Sequence, residues 1–241
     1  FMAWNDSKNI GATVLERGFT LENQGRVVPG VYWTPVGHEA DRVVLLGHGG
    51  AADKKADYIE LIAHGLCGLG VAAVAIDGPG HGERLGAEVY KGVPAEFVDR
   101  WQSDGGTEAI VSDWRAALDF IEQHDDARAT GYLGFSMGTM MGLPLCVADE
   151  RIAVAVLGLM GVWGPNKDDL ERRAPELSIP VRFLMQWDDE VVPRDRCLEL
   201  FGAIGSKRKT LHANPGAHSA VPTFEVEAGV HYLAQQLAKI V

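Results

Sequence analysis

A chain of 241 residues lies near the upper limit of what one hydrophobic core supports and can bury about 70 to 75% of its unfolded surface, so one domain over residues 1–241 is expected. Hydrophobic residues make up 46% and charged residues 23%, and no run approaches the roughly 20 apolar residues of a membrane span, which predicts a soluble protein. The net charge of −11 repels phosphate backbones and anionic lipid and disfavours nucleic acid and membrane surfaces as partners.

The first ten residues carry Asn5, Asp6, Ser7 and Lys8 and lack the basic start and apolar middle of a secretory signal, so a cytoplasmic location is expected. Cys67, Cys146 and Cys197 are odd in number and have no pairing spacing. They suit a reducing compartment and read as buried thiols.

Apolar runs of five to seven residues alternate with helical segments, the pattern of an α/β protein whose mostly parallel sheet is covered on both faces. Residues 13–19 and 26–33 follow one another with no helix between, which predicts an antiparallel start to the sheet. Further strands are predicted at 43–47, 71–76, 129–135, 152–159, 181–187 and 209–212, eight in all. Loops at their C-terminal ends are where such folds place their chemistry.

Helices are predicted at 54–69, at 107–124 on the spacing of Ile110, Trp114, Ala117, Leu118 and Ile121, and at 217–240 on Phe224, Val226, Val230, Leu233 and Leu237. Two segments fit neither class. Residues 85–106, rich in Gly and charge, predict a mobile flap. Residues 161–178 are too short for a lid domain, so little or no cap and a fairly open pocket are expected.

Gly134-Phe135-Ser136-Met137-Gly138 follows an apolar strand and precedes a small-residue helical run at 139–148, the setting of a nucleophile elbow. The turn forces the serine into a strained conformation, and glycines on either side let backbone approach closely. It exposes the Ser136 hydroxyl and aims the Met137 N–H at the place where a carbonyl oxygen would gain charge.

A serine hydroxyl is a weak nucleophile at neutral pH and needs a positioned base. Of eight histidines, His218 lies on a loop after the last predicted strand and before the last helix. The imidazole in turn needs a carboxylate to fix its tautomer. Asp188, Asp189 and Glu190 all follow the strand at 181–187; the run Asp189-Glu190-Val191-Val192-Pro193 favours Asp189, leaving Asp188 or Glu190 as solvated neighbours.

In the order Ser136, Asp189, His218, these residues resemble the α/β-hydrolase superfamily, from Val43 to the last helix. The small size is similar to the dienelactone hydrolase and small carboxylesterase groups. That resemblance implies an α/β-hydrolase fold with an eight-stranded twisted sheet. It also implies that Gly47-His48-Gly49-Gly50 completes an oxyanion hole, with the Gly50 N–H as donor beside Met137 and Ala51 as the alternative. Asp77-Gly78-Pro79-Gly80-His81-Gly82 resembles a structural turn of the family.

Serine at the elbow disfavours the aspartate chemistry of epoxide and haloalkane hydrolases. The absence of cysteine there disfavours the dienelactone substrate. The expected function is a serine carboxylesterase cleaving a small-molecule ester through an acyl-enzyme. Rival readings are a thioesterase or acyltransferase with the same residues, and a non-catalytic hydrolase-like binding module.

Val162, Trp163, Trp187 and Phe97 are candidates to line the substrate pocket. No cofactor is expected: Gly68-Leu69-Gly70 precedes a strand instead of following one, and no phosphate-loop lysine is present. No metal is expected, since His212 and His218 lack partner ligands. A homodimer is compatible with the sequence.

Overall fold

A computed structural model describes residues 2–37, 40–85, 94–124 and 129–241. In chain order the strands are β1 (Met2–Ile10), β2 (Val14–Asn23), β3 (Arg26–Pro35), β4 (Arg42–Gly47), β5 (Ala72–Ile76), β6 (Ala129–Phe135), β7 (Ile152–Gly158), β8 (Val181–Gln186) and β9 (Lys209–Asn214). The helices are α1 (Asp57–Gly68), α2 (Pro94–Ser103), α3 (Gly106–Glu122), α4 (Met137–Ala148), α5 (Lys167–Arg173), α6 (Arg194–Ala203) and α7 (Thr223–Leu237).

One sheet runs in the order β1-β2-β3-β5-β4-β6-β7-β8-β9. It is parallel from β5 through β9, and β1, β2 and β3 add to it as an antiparallel meander. Every residue of β5 and β6 is buried, so these strands read as continuous apolar runs without alternation. One face packs on Ile110, Trp114, Leu118, Met141, Leu170 and Leu200 of α3, α4, α5 and α6. The other packs on Ile59, Ile62, Leu66, Val230, Leu233 and Leu237 of α1 and α7.

Among the described residues the sheet has nine strands, one more than the predicted eight. The additional one, β1, pairs antiparallel with β2 from Met2 opposite Leu21 to Ile10 opposite Val14, with an irregularity between Trp4 and Ser7. Asn5, Asp6, Ser7 and Lys8 conceal it in the sequence because an edge strand exposes polar side chains that a buried strand excludes. Its apolar anchor is Trp4, whose ring lies 4.8 Å from Phe120 and 6.0 Å from Phe19. The β2–β3 hairpin closes through Gln24 and Gly25 at φ 53° and 79°, the left-handed pair that matches strand twist.

The segment at 161–178 contains α5 and a single 3-10 turn, Ala174–Glu176. Its Asn166 has a structural task. Pro144 inside α4 has no N–H for the carbonyl of Met140, four residues earlier, and the Asn166 side-chain amide donates to that carbonyl at 3.0 Å. Of the predicted flap, residues 86–93 lie outside the described residues, and Pro94–Ser103 is helical. All three cysteines are buried and unpaired, with burial pushing the Cys67 and Cys197 thiols up to about 12. Among the described residues no helix is long and apolar enough to cross a membrane.

Candidate active site

Ser136 sits between β6 and α4 at φ 57°, ψ −119°, a conformation that costs a non-glycine residue about 1 to 3 kcal/mol and persists only where its surroundings impose it. Those surroundings are explicit. The Ser136 N–H donates to Gly158 O (2.9 Å), the Thr139 hydroxyl accepts the Gly158 N–H (2.8 Å), and the buried Tyr132 hydroxyl donates to Gly138 O (2.6 Å). A Cβ on Gly138 would stand 2.3 Å from Gly47 O, so β4 and the elbow meet backbone to backbone.

His218 lies on the loop between β9 and α7, and Asp189 on the loop after β8. The structure brings both to Ser136: His218 Nε2 is 3.0 Å from Ser136 Oγ, and His218 Nδ1 is 2.7 Å from Asp189 Oδ2. The other Asp189 oxygen accepts the N–H groups of Val191 and Val192, each at 2.8 Å. A carboxylate can only accept, so this geometry suits the tautomer with its proton on Nδ1 and the Nε2 lone pair toward the hydroxyl.

Asp188 and Glu190 are both exposed, as expected of a solvated neighbour, and each also accepts from the histidine loop: Asp188 from Gly216 N–H (3.3 Å) and Glu190 from His218 N–H (3.0 Å). The sequence signal was their adjacency to Asp189, which alone cannot reveal which backbone each meets.

Met137 is the first residue of α4, and a helix leaves the N–H groups of its first turn without intrahelical acceptors. Gly50 is exposed on the turn after β4, and Gly47 of β4 pairs with Gly134 of β6, so the two loops carrying these groups are neighbours. Three side chains tether the β4 loop. His48 donates from Nδ1 to Gly49 O and accepts the Gly78 N–H at Nε2, both at 2.8 Å. The Tyr58 hydroxyl accepts the Gly49 N–H at 2.7 Å. Asp77 accepts the Lys54 backbone N–H at 3.0 Å and its Nζ at 2.8 Å.

Burial opposes the Lys54 charge, yet Asp77 and Glu83 outweigh it and hold the ammonium above its usual range. Asp77 opens the turn predicted to be structural, and its partner Lys54 was not legible in the sequence.

Burial lowers the His48 pKa from 6.5 to about 4, with nearby His81 pushing the same way. The native state therefore refuses a proton that the unfolded chain accepts between those values. The stability contributed by neutral His48 is complete above pH 6.5 and is lost as pH falls toward 4. Tm should fall across that window, and the slope should flatten in His48→Gln; a Tm that holds or rises as pH drops would contradict this. Glu16 and Asp149, whose ion pairs with Lys55 and Arg151 overcome burial and hold them below the usual carboxylate range, act in the same direction at lower pH.

Of the predicted pocket residues, Trp163 and Trp187 are 45% and 46% exposed, and the Arg194 guanidinium lies 4.3 Å from the Trp187 ring centroid. Phe97 Cε2 is 3.8 Å from where a Cβ on Gly50 would stand, so α2 borders the β4 loop. Val162 is 8% exposed and packs with the core cluster that also holds Met137. Gly161 abuts the backbone of Arg196, and the Val162 N–H donates to Arg196 O. Among the described residues no group of three or more His, Cys, Asp or Glu side chains is placed to share a metal ion.

A family model described as the alpha/beta hydrolase family matches residues 43–234. The chain belongs to that family. A structure of the hydrolase superposes with a TM-score of 0.92 on the PEG-bound complex of a cold-adapted esterase from an Arctic intertidal metagenomic library, at 56% identity over 98% of this chain and 99% of that one. The native structure of a cold-adapted esterase from such a library gives 53% identity, a TM-score of 0.87 and the same coverage. An acetyl xylan esterase from Paenibacillus sp. R4, at 17% identity, TM-score 0.75 and 98% and 89% coverage, shares the fold. Comparison with curated protein sequences gives no significant match.

Proposed function

We propose that this hydrolase is a serine carboxylesterase that works through an acyl-enzyme intermediate. The observation that carries the proposal is the unbroken hydrogen-bond sequence from Asp189 through His218 to Ser136 Oγ. Similarity over nearly the whole chain to a protein described as an esterase favours a carboxylic ester as substrate over a thioester or a purely binding role.

In the proposed reaction Ser136 Oγ attacks the ester carbonyl carbon while His218 Nε2 takes the hydroxyl proton. The carbonyl oxygen becomes an oxyanion, stabilised by the N–H groups of Met137 and Gly50. Collapse of the tetrahedral species breaks the bond to the leaving oxygen, which receives the proton from His218 and departs as an alcohol. A water molecule then gives its proton to His218 and adds to the acyl carbon; collapse returns that proton to Ser136 and releases the carboxylic acid. Asp189 remains ionised throughout and stabilises the imidazolium.

Trp163 and Trp187 are exposed, and among the described residues the segment at 161–178 adds only the seven-residue α5 and one 3-10 turn, which favours small acyl groups. Two measurements test the reading. A fluorophosphonate should add a single phosphonyl group at Ser136, located by peptide mass. A panel of chromogenic esters graded by acyl length should give higher kcat/KM for acetyl and butyryl than for octanoyl esters. Ester cleavage that persists after exposure to the fluorophosphonate, with Ser136 unlabelled, would remove the basis of the proposal.

A further inference from the structure

The loop that carries His218 is joined to the loop after β8 by contacts that continue the β8–β9 ladder past its last pair, Gln186 opposite Asn214. Trp187 N–H donates to Asn214 O (2.7 Å), and Asp188 N–H to Gly216 O (3.2 Å). Asp188 Oδ2 accepts the Gly216 N–H in return (3.3 Å). The buried Gln186 side chain donates to Ala220 O (2.8 Å) and lies 3.3 Å from Ala217 O. Glu190 Oε2 accepts the backbone N–H of His218 itself (3.0 Å).

Three consecutive carboxylates thus divide one task. Asp188 grips the backbone two residues before the histidine, Asp189 grips the ring, and Glu190 grips the backbone of the histidine. The division has a mechanical reason. Gly216, at φ 119°, turns the loop where a side chain would be strained, and a ring held only at Nδ1 can pivot about that bond and carry Nε2 away from Ser136. A second anchor at the histidine's own N–H fixes where the side chain starts and removes that freedom.

We propose that Glu190 is a positioning residue that seats His218 through this backbone hydrogen bond, acting by geometry and not by its charge. The proposal rests on the serine esterase reading. It distinguishes two variants. Glu190→Gln keeps an acceptor oxygen and loses the charge; Glu190→Ala loses both. Misplacing a catalytic group by about 1 Å can cost about 10²-fold, and water can partly replace an exposed bond, so Glu190→Ala should lower kcat by about 5- to 20-fold. KM and Tm should remain near wild type, and Glu190→Gln should restore kcat to within about twofold of wild type.

Wild-type kcat in Glu190→Ala, a loss confined to KM, or equal impairment in both variants would overturn the proposal, the last because it assigns the effect to charge. A second readout does not depend on turnover. The low-field Nδ1–H proton resonance of His218, assigned by its loss in His218→Ala, should stay sharp in wild type and Glu190→Gln and broaden in Glu190→Ala; an unchanged line in Glu190→Ala overturns the inference even if the protein cleaves no ester. Ester cleavage that survives Ser136→Ala would instead overturn the assignment of Ser136 as nucleophile and leave the resonance to decide on Glu190.

Discussion

Ser136→Ala should lower kcat for ester cleavage on the order of 10⁴- to 10⁶-fold, with substrate affinity little changed. The size follows from what is removed. The oxygen that would form the acyl bond disappears, while the Met137 and Gly50 N–H groups proposed to hold the oxyanion remain; on that proposal residual catalysis comes from those groups alone. Because Ser136 and His218 act as one unit, at 3.0 Å, the double variant with His218→Ala should be no slower than either single variant by more than a small factor. Steady-state kinetics with an active-site titration of the wild type would check both. Independent, multiplicative losses would mean that the two residues serve different reactions.

The second large effect is expected at Gly138. An alanine Cβ there would lie 2.3 Å from Gly47 O and 3.0 Å from Gly47 C, and neither atom belongs to a side chain that can swing aside. β4 and the elbow must separate instead. Overpacking of this kind costs about 1 to 3 kcal/mol, visible as a lower Tm. A catalytic cost of similar size should accompany the stability cost. Met137 adjoins Gly138, and Gly50 follows Gly47 along the displaced loop, so the two N–H groups proposed to face the oxyanion would move apart. A shift of about 1 Å can lower kcat by about 10²-fold. Gly138→Ala with wild-type kcat at 25 °C would show that the contact between β4 and the elbow does not set the geometry of the site.

These two expectations differ in how much of their basis is visible without coordinates. Ser136 stands out in the sequence because an elbow is local: strand, turn and helix occupy one stretch, and Gly134 answers to the backbone of Gly138 four residues on, although Gly138 itself answers to distant Gly47 of β4. The same holds for the buried strands β5 and β6, whose unbroken apolar runs require cover on both faces. His218 and Asp189 could be named because each follows a strand end, where parallel sheets gather their loops. β1 escaped because four polar residues at an exposed edge carry no core pattern. The burial of Val162 was likewise not legible, because the close approach of Gly161 to Arg196 joins positions 35 apart in the chain.

What the sequence determined by itself was the α/β class, the order of the buried strands, the family resemblance and a candidate nucleophile, since hydrophobic period, glycine placement and strand-end position are properties of short segments. Only the tertiary structure decided which atoms face one another across long separations. It seated Lys54 on Asp77, gave Asn166 the carbonyl freed by Pro144, and assigned each of Asp188, Asp189 and Glu190 its own partner on the histidine loop. The physical reason is that a buried or constrained polar group must find a hydrogen-bond partner, but which partner depends on where the sheet brings distant backbone, and no local pattern encodes that.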